Sequence, residues 1–171
     1  MDATDLTLRP YDPGADRDAL WSLKRAFETG LGAAGDEAKA ATYESKLTDE
    51  YRRRWLAWVD RCIADEPRCV TVAADGDEGA PVGYVFLLPE RLSFVWDAAV
   101  VNEIYVAPDH RGTGLADELL GAATALAREQ ELPLDRLLLD VDPENERARA
   151  FYDRHGFEPW GEVVARGLRE D

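Results

Sequence analysis

Apolar and polar positions follow a helical period in the N-terminal part of the chain. A first helix is predicted to begin at Asp12-Pro13, an N-cap followed by a proline at the first helical position, with apolar positions at Leu20, Leu23 and Phe27. Glycines interrupt this pattern and predict a loop over about residues 29–36. A long second helix is predicted over residues 38–64. One face of it carries a stripe typical of core, formed by Tyr43, Leu47, Tyr51, Trp55, Trp58 and Cys62.

The middle of the chain has the sequence pattern of β-strands, with short apolar runs separated by turn residues. Strands are predicted over residues 6–9, 69–74, 82–88 and 99–106. The turn sequence at residues 75–79 joins two of them, which favours an antiparallel meander. Residues 94–96 either extend the third strand or form a separate one.

Helical and strand patterns alternate in the last third of the chain. Two adjacent apolar stripes over residues 115–127 predict a helix with a wide buried face. Residues 137–141 form an apolar run typical of a central strand that is buried on both faces. A further helix is predicted from Asp142-Pro143 to His155-Gly156, and a strand from Phe157. The absence of repeats and linkers predicts one α+β domain over residues 1–171 with a mixed sheet.

The composition is that of a folded protein with an unusual charge. The chain has 171 residues, 46% of them hydrophobic and 32% charged, with 35 acidic against 20 basic residues and a net charge of −15. No nucleic-acid partner is expected, because phosphate binding needs a basic patch and the sole basic cluster, residues 52–54, is predicted to be a solvated helix face. Lysines are rare, at Lys24, Lys39 and Lys46. Strong acidity with little lysine indicates adaptation to high intracellular salt.

The cysteines and the N-terminus point to a cytoplasmic protein. Cys62 and Cys69 are too few for a disulfide framework and lack the spacing of zinc sites, so we expect two buried thiols and no metal. The N-terminus has no basic segment and no long apolar run, which predicts that there is no signal peptide. No stretch approaches the roughly 20 apolar residues that a membrane span needs, so no membrane partner is expected.

The most informative stretch is residues 104–116, a strand, a glycine-bearing loop and a helix start. Gly112 and Gly114 allow a ligand to approach the backbone, and the first amides of a helix favour an anion such as pyrophosphate. The loop lacks the ending of a nucleotide P-loop, and Asp117 stands where the dinucleotide fingerprint has its third glycine. ATP and NAD are therefore disfavoured. Simple turn chemistry remains an alternative explanation for the two glycines.

A second constellation covers residues 145–157. Asn145, Ala148 and Tyr152 are predicted to share one helix face, with Asn145 and Tyr152 about 10 Å apart along the axis. A long ligand could span them. The alternative is that Tyr152 is a core tyrosine whose hydroxyl is satisfied within the fold.

Together the two stretches resemble the GNAT superfamily of N-acetyltransferases. The family fingerprint, Arg/Gln-x-x-Gly-x-Gly/Ala, is represented by Arg111, Gly112, Thr113, Gly114, Leu115 and Ala116. A second signature, Asn-x-x-Ala-x-x-Phe-Tyr followed by Gly-Phe, is represented by Asn145, Ala148, Phe151, Tyr152, Gly156 and Phe157. The resemblance covers about residues 6–165. It implies an α/β/α-like GNAT fold with six or seven mostly antiparallel strands, about four helices and a V-shaped splay between strands 99–106 and 136–141.

The resemblance further implies acetyl-CoA as co-substrate and a set of residues that bind it. The pyrophosphate would lie on the backbone amides of residues 111–116. The pantetheine arm would follow the strand before this loop, bonding to the backbone of Ile104, Tyr105 and Val106, and would contact Asn145. No metal is implied.

The implied chemistry is direct transfer of an acetyl group to a primary amine in a ternary complex, without an acyl-enzyme. An ammonium with a pKa near 10 must lose a proton before it attacks a thioester, so a base is needed. Glu103 stands at the strand position where many family members carry a catalytic glutamate that acts through water, although it could be an ordinary surface carboxylate. Tyr152 matches the family's general acid, which protonates the leaving thiolate. Cys62 and Cys69 match no nucleophile position.

Two rival functions and several details stay open. The chain could be a non-catalytic acyl-CoA sensor or assembly domain, or an interaction domain with a vestigial slot. The acceptor, a small-molecule or peptide amine, is not specified by the two motifs. Homodimers are common in the family, which makes a homodimer a possible arrangement. Only about 14 residues follow Phe157, fewer than the two long C-terminal strands of many members need, and Pro159 and Gly161 interrupt them.

Overall fold

The computed structural model describes residues 5–34 and 37–169, without the side chains of residues 31–34. The chain divides at Asp140 and Val141 into two compact units. The first unit contains β1 (Leu6–Pro10), α1 (Arg17–Ala34), α2 (Glu37–Ser45), α3 (Asp49–Asp65), β2 (Val70–Asp75), β3 (Gly83–Leu87), β4 (Ala99–Val106), α4 (Leu115–Ala127) and β5 (Leu137–Leu138). The second contains α5 (Glu146–Arg154). The single domain over residues 1–171 stays a prediction.

The sheet has five strands in the order β1-β2-β3-β4-β5. The first four form an antiparallel meander, and β5 is parallel to β4. The mixed α+β fold is therefore confirmed, whereas six or seven strands is wrong for the described residues. Residues 94–96 do not form a strand, because Phe94 and Val95 end a 3₁₀ helix over Glu90–Val95 that begins directly after Pro89, and Trp96 is its C-cap. Residues 157–169 carry no strand either; Pro159 lacks the N–H that a ladder needs.

The first helix begins later and ends later than its pattern predicts. Asp12 and Pro13 lie in a turn, in which the Asp12 side chain accepts a hydrogen bond from the Gly14 amide at 2.8 Å. The helix starts at Arg17 and continues through Gly30 to Ala34, so the loop predicted over residues 29–36 is wrong as far as Ala34. Residues 35 and 36 lie outside the described part. A glycine in a helix costs only about 1 kcal/mol, which tertiary packing can override.

The long second helix is in fact two helices. The helix is interrupted at Thr48. The Thr48 side chain accepts a hydrogen bond from the Tyr51 amide at 3.1 Å and is the N-cap of α3. A threonine at this position satisfies one of the amides that a new helix leaves unpaired. Helix α2 ends at Ser45 and has no buried residue, so the predicted apolar stripe packs against the core only from Leu47 onward.

The prediction of a central strand at residues 137–141 is wrong. β5 lies at one end of the strand order and pairs over two residues only, Leu137 with Ala99 and Leu138 with Val100. Both leucines are half-buried rather than enclosed. The parallel ladder stops there, while β4 continues to Val106. The later part of β4 therefore has no parallel neighbour among the described strands.

The sheet supports helices through two sets of buried residues. Helices α1 and α3 pack with β2 and β3 in the main core, where Leu20, Val59 and Phe86 are fully buried. Helix α4 packs on β2, β3 and β4 through its own buried residues, among them Leu119. Helix α5 begins at Glu146 rather than at Pro143. None of the described helices is long and apolar enough to cross a bilayer.

The cysteines are buried thiols, as the sequence predicts. Cys62 lies in α3 and Cys69 immediately precedes β2, and both side chains are free. Burial raises the pKa of the Cys62 thiol and raises that of Cys69 to about 12. Both therefore stay protonated at neutral pH, which makes them poor nucleophiles.

Candidate active site

The loop between β4 and α4 presents its backbone to open space at two glycines. Gly112 and Gly114 have φ angles of 75° and 86°, a conformation that side-chain-bearing residues rarely adopt. A Cβ atom at either position would meet no protein atom within 4 Å, so the backbone there faces open space. Gly114 caps α4 without a side-chain hydrogen bond. The first amides of α4 are left without intrahelical acceptors, which suits an anion at this helix N-terminus.

The same loop is fixed at its base by hydrogen bonds to the preceding turn and strand. Arg111 donates from Nε to the Val106 carbonyl at 3.0 Å, and its guanidinium lies 5.5 Å from the ring centroid of Tyr105. Thr113 donates from its hydroxyl to the His110 carbonyl at 2.7 Å. These contacts hold the loop that carries the two glycines against the end of β4.

Strand β4 carries a β-bulge beside the candidate base. Glu103 pairs with Phe86, but Leu87 pairs with Val101, so Asn102 is one extra residue in β4. Bulges of this kind redirect side chains and occur frequently beside active sites. Here the Asn102 side-chain amide donates to Glu103 Oε2 at 2.8 Å.

Glu103 is buried, with 3% of its surface exposed, and is not an ordinary surface carboxylate. Its Oε1 atom accepts a hydrogen bond from the Tyr84 hydroxyl at 2.8 Å and lies 2.8 Å from the Lys24 ammonium. The two carboxylate oxygens are therefore unequal. Oε1 has two donors that are both buried, whereas Oε2 has one donor, from the exposed residue Asn102.

Lys24 connects Glu103 to a second buried carboxylate. Its ammonium lies 2.5 Å from Glu28 Oε1, and Glu28 Oε2 lies 2.7 Å from Lys46. Burial by itself would lower the pKa of Lys24, but the charges of Glu103 and Glu28 outweigh it and raise the pKa above its ordinary value. We call Tyr84, Glu103, Lys24, Glu28 and Lys46 the Lys24 cluster.

Burial and the neighbouring charges keep Tyr84 neutral. The phenol is fully enclosed, and this burial, together with the Glu103 carboxylate that it faces, raises the pKa of Tyr84 well above its ordinary value. Tyr84 is therefore a permanent hydrogen-bond donor to Glu103 at neutral pH.

The residues that the family resemblance assigns to pantetheine lie on the end of β4 beyond the parallel ladder. Ile104 and Tyr105 pair on one side with Val85 and Tyr84 of β3. Alternate backbone groups of a strand point to its other side, where no described strand continues past Val100. Those groups need hydrogen-bond partners, which the amides of a bound ligand could supply.

The two remaining predicted site residues belong to the second unit. Asn145 is the N-cap of α5 and accepts a hydrogen bond from the Ala148 amide through Oδ1 at 3.2 Å, so its Nδ2 amide remains to donate. Tyr152 packs edge-on against Phe151 and Phe157, with ring centroids 5.3 and 5.6 Å away. Burial raises the pKa of Tyr152 to about 12, which keeps its hydroxyl protonated at neutral pH.

The sequence analysis missed the partners of Glu103. Lys24 and Glu28 are four residues apart on α1, next to the apolar positions Leu23 and Phe27, and Lys24 is one of only three lysines. A charged pair beside the apolar positions of an amphipathic helix was the available signal. Among the described residues no group of three or more His, Cys, Asp or Glu side chains could hold a metal ion.

Comparison with known proteins establishes the family. The sequence profile of the acetyltransferase (GNAT) family matches residues 32–157. Because this match spans well over half of the chain, the chain belongs to the GNAT family of acetyltransferases. Mycothiol acetyltransferase from Salinispora tropica is 32% identical over 170 residues, which cover 93% of this chain and 47% of that protein. The chain spans about half the length of the curated relatives it matches.

Solved structures show the same fold at low sequence identity. PH1933 from Pyrococcus horikoshii has a TM-score of 0.67 at 18% identity, over 94% of this chain and 93% of that one. The PaiA N-acetyltransferase of Thermoplasma acidophilum, solved in complex with coenzyme A, has a TM-score of 0.66 at 16% identity, over 90% of both chains. The GNAT fold and family predicted from the two motifs are confirmed. Dependence on acetyl-CoA is general to this family.

Proposed function

We propose that this chain transfers the acetyl group of acetyl-CoA directly to an amine of an acceptor. One observation carries the proposal: two glycines with positive φ face open space at the N-terminus of α4. That surface offers several backbone amides to one anionic group, as a pyrophosphate requires. A sensor that only binds acyl-CoA is the second candidate, and the buried, asymmetrically bonded Glu103 favours the enzyme.

Binding would use the backbone more than the side chains. The amides of the loop, over Arg111, Gly112, Thr113, Gly114, Leu115 and Ala116, would hold the pyrophosphate. The outward backbone groups of Ile104, Tyr105 and Val106 would bond to the amides of the pantetheine arm. Asn145 would donate its Nδ2 amide to the same arm, since its Oδ1 atom already caps α5.

Glu103 is the proposed base. An acceptor ammonium must give up a proton before its nitrogen can attack, and Oε2, whose donor is the side chain of the exposed residue Asn102, is the Glu103 oxygen proposed to take it. The new C–N bond forms as the C–S bond of the thioester breaks. The proton from the ammonium passes to Glu103, directly or through water.

Tyr152 is the proposed acid. Its hydroxyl is protonated at neutral pH, because burial raises the pKa of Tyr152 to about 12. Tyr152 would give its proton to the departing sulfur, and the resulting phenolate would regain a proton, through water, from the second proton that the nitrogen loses as the amide forms. No covalent enzyme intermediate is required, in agreement with the raised pKa values of the two cysteine thiols.

The acceptor is proposed only by class. A primary amine on a small molecule or a peptide is the acceptor that the proposed base serves. An acceptor related to mycothiol is a second candidate, because several relatives are named mycothiol acetyltransferases. The net charge of −15 would attract cationic acceptors at low salt and much less at high salt.

Calorimetric titration of acetyl-CoA into the protein tests the proposal. The titration is made at high potassium chloride, because the acidic, lysine-poor composition points to such conditions. Gly114→Glu places a carboxylate in the proposed pyrophosphate site. Gly121→Glu is the matched control, since Gly121 lies within α4 and a Cβ atom there would meet no protein atom within 4 Å.

We expect the wild type and Gly121→Glu to bind acetyl-CoA with similar affinity and Gly114→Glu to lose binding. Thermal melting followed by circular dichroism shows that each variant is folded. No binding to the folded wild-type protein would overturn both the enzyme and the sensor. Binding without release of free CoA in the presence of tyramine, spermidine or cysteamine would favour the sensor.

A further inference from the structure

The geometry of the Lys24 cluster points to a role for two residues outside the family motifs. We propose that Lys24 is a positioning residue for Glu103, and that Glu28 sets how much of the Lys24 charge Glu103 receives. In this arrangement Oε1 of Glu103 is anchored and Oε2 is the atom that takes up the proton. The inference rests on the proposed role of Glu103 as base.

Lys24 holds a fixed position in the fold. Its ammonium is enclosed, with 4% of the side chain exposed, and it bridges Glu103 and Glu28. It also lies 5.1 Å from the ring centroid of Trp55 and 5.4 Å from that of Phe27. Aromatic faces attract a cation when both are removed from water. The Lys24 ammonium is therefore held in place by two carboxylates and by aromatic rings of α1 and α3. Held in this way, it fixes the position of Glu103 Oε1.

The charges of the cluster balance. Glu103 and Glu28 are negative, whereas Lys24 and Lys46 are positive, and only Lys46 reaches solvent, with 36% of its side chain exposed. A neutral set tolerates burial better than a single unpaired charge does. The two lysines also differ in their contacts. Lys24 contacts both carboxylates, whereas Lys46 contacts Glu28 and not Glu103. Glu28 therefore competes with Glu103 for the Lys24 ammonium.

Groups from every neighbouring element define the charge that Glu103 experiences. Helix α1 contributes Lys24 and Glu28, and β3 contributes the neutral Tyr84 hydroxyl. Asn102 of β4 contributes an uncharged amide. Lys46 contacts Glu28 and influences Glu103 only through that carboxylate. Lys24 is thus the one cation in direct contact with Glu103 among the described residues.

A purely structural ion pair would not require this asymmetry. Buried ion pairs add little to stability compared with apolar packing, because desolvation offsets the attraction. In a purely structural pair we expect both carboxylate oxygens to accept hydrogen bonds from buried donors. In Glu103 the enclosed donors Lys24 and Tyr84 both bind Oε1, and Oε2 is left towards the exposed bulge residue Asn102.

The test follows the Glu103 carboxylate directly, so that it needs no acceptor. Protein labelled with ¹³C at the side-chain carboxyl of glutamate is titrated by NMR, and the Glu103 signal is assigned from Glu103→Gln. Lys24→Met removes the cation that lies 2.8 Å from Glu103 Oε1, so the Glu103 signal should titrate at a higher pH than in the wild type. Glu28→Gln removes the competitor, so Glu103 should titrate at a lower pH than in the wild type.

Opposite shifts in these two variants are the expected result. Lys39→Met is the matched control, because Lys39 lies on α2 outside the Lys24 cluster, and it should leave the titration unchanged. Shifts of the same sign, or no shift in Glu28→Gln, would overturn the inference. If Lys24→Met does not fold, the result for Glu28→Gln alone tests the inference. Glutamine has the shape of glutamate, and Lys24 keeps its ion pair with Glu103 in that variant.

Activity measurements separate this inference from the proposed function. With an amine that the wild type acetylates, the acidic limb of the kcat/KM profile should move with the NMR titration in each variant, whereas KM for acetyl-CoA should not. Shifted titrations in a protein that acetylates no amine would sustain the positioning role and defeat the enzyme. If the protein acetylates an amine and the pH profile of kcat/KM is identical in all variants, the enzyme proposal stands and the positioning role of Lys24 is overturned.

Discussion

Two buried ion pairs lie beside the same helix and have different geometries. Arg9 and Asp16 join β1 to the residue before α1, with Nη1–Oδ2 and Nη2–Oδ1 distances of 2.6 and 2.9 Å, and the Asp12 amide also donates to Asp16 at 2.9 Å. Both oxygens of Asp16 are thereby closed by donors. Lys24 and Glu103 form the second pair, two turns into α1, and there the single donor to one carboxylate oxygen is the side chain of the exposed residue Asn102.

This difference separates an anchor from a candidate catalytic group. A bidentate arginine fixes a carboxylate in both distance and orientation, and nothing is left for a substrate. A lysine is a point charge that can be shared, so its carboxylate partner keeps a free direction. We therefore expect changes at Asp16 to act on stability and changes at Glu103 to act on catalysis.

The largest effect is expected from Glu103→Gln. Removal of a general base lowers rates by about 100-fold or more, so kcat/KM for acetyl transfer should fall by that factor. Lys24 retains Glu28 as its counter-ion, which keeps the variant folded. Steady-state rates of CoA release measure the effect, and Asp16→Asn is the comparison, with a rate within about twofold of the wild type. Equal rates in Glu103→Gln and the wild type would remove Glu103 from the mechanism.

Asp16→Ala should produce the largest loss of stability. It leaves the Arg9 guanidinium without its carboxylate in a site where only 14% of the Arg9 side chain is exposed. Breaking a buried pair in this way costs about 3 kcal/mol in the free energy of unfolding. Urea denaturation measures it. Arg17→Met is the control, since the Arg17–Asp60 pair is about 40% exposed on each side and should contribute under about 1 kcal/mol.

The Asp16 anchor should also weaken in acid. Burial alone would raise the pKa of Asp16, but the hydrogen bonds from Arg9 and the Asp12 amide outweigh it and lower the pKa below its ordinary value. A lowered folded-state pKa stabilises the fold above about pH 4, and this contribution is lost as the pH falls through the folded-state value. Unfolding free energies measured from neutral to acid pH should therefore fall further in the wild type than in Asp16→Asn. Parallel curves would contradict this.

The smallest effect is expected from Tyr84→Phe. The change removes one of two donors to Glu103 Oε1, so stability should fall by about 1 kcal/mol and kcat/KM severalfold. Thr48→Ala gives a matched control, because loss of the α3 N-cap costs a similar free energy without touching Glu103 and should leave the rate unchanged. A Tyr84→Phe rate equal to that of Thr48→Ala would show that the phenol only supports the fold.

Elements with a strong local pattern were predictable from the sequence. β4 occupies residues 99–106 as expected, because an apolar run that ends before Pro108 marks it, and α4 occupies residues 115–127, because two apolar stripes of helical period follow Gly114. The ends of α1, the break at Thr48 and the position of β5 were not predictable in this way. Each depends on a competing interaction, such as the turn at Asp12 or an edge position in the sheet, that a local pattern does not contain.

The candidate site shows the same division. Positive φ angles at Gly112 and Gly114 are a requirement that glycine meets locally, so the residues of this one stretch were enough to predict the loop conformation and, with the second motif, the family. The surroundings of Glu103 exist only in the folded chain. Lys24 and Tyr84 reach that carboxylate from a helix and a strand distant in sequence, and the bulge at Asn102 lies directly beside it. Electrostatic surroundings depend on distances in space, which no spacing along the chain encodes.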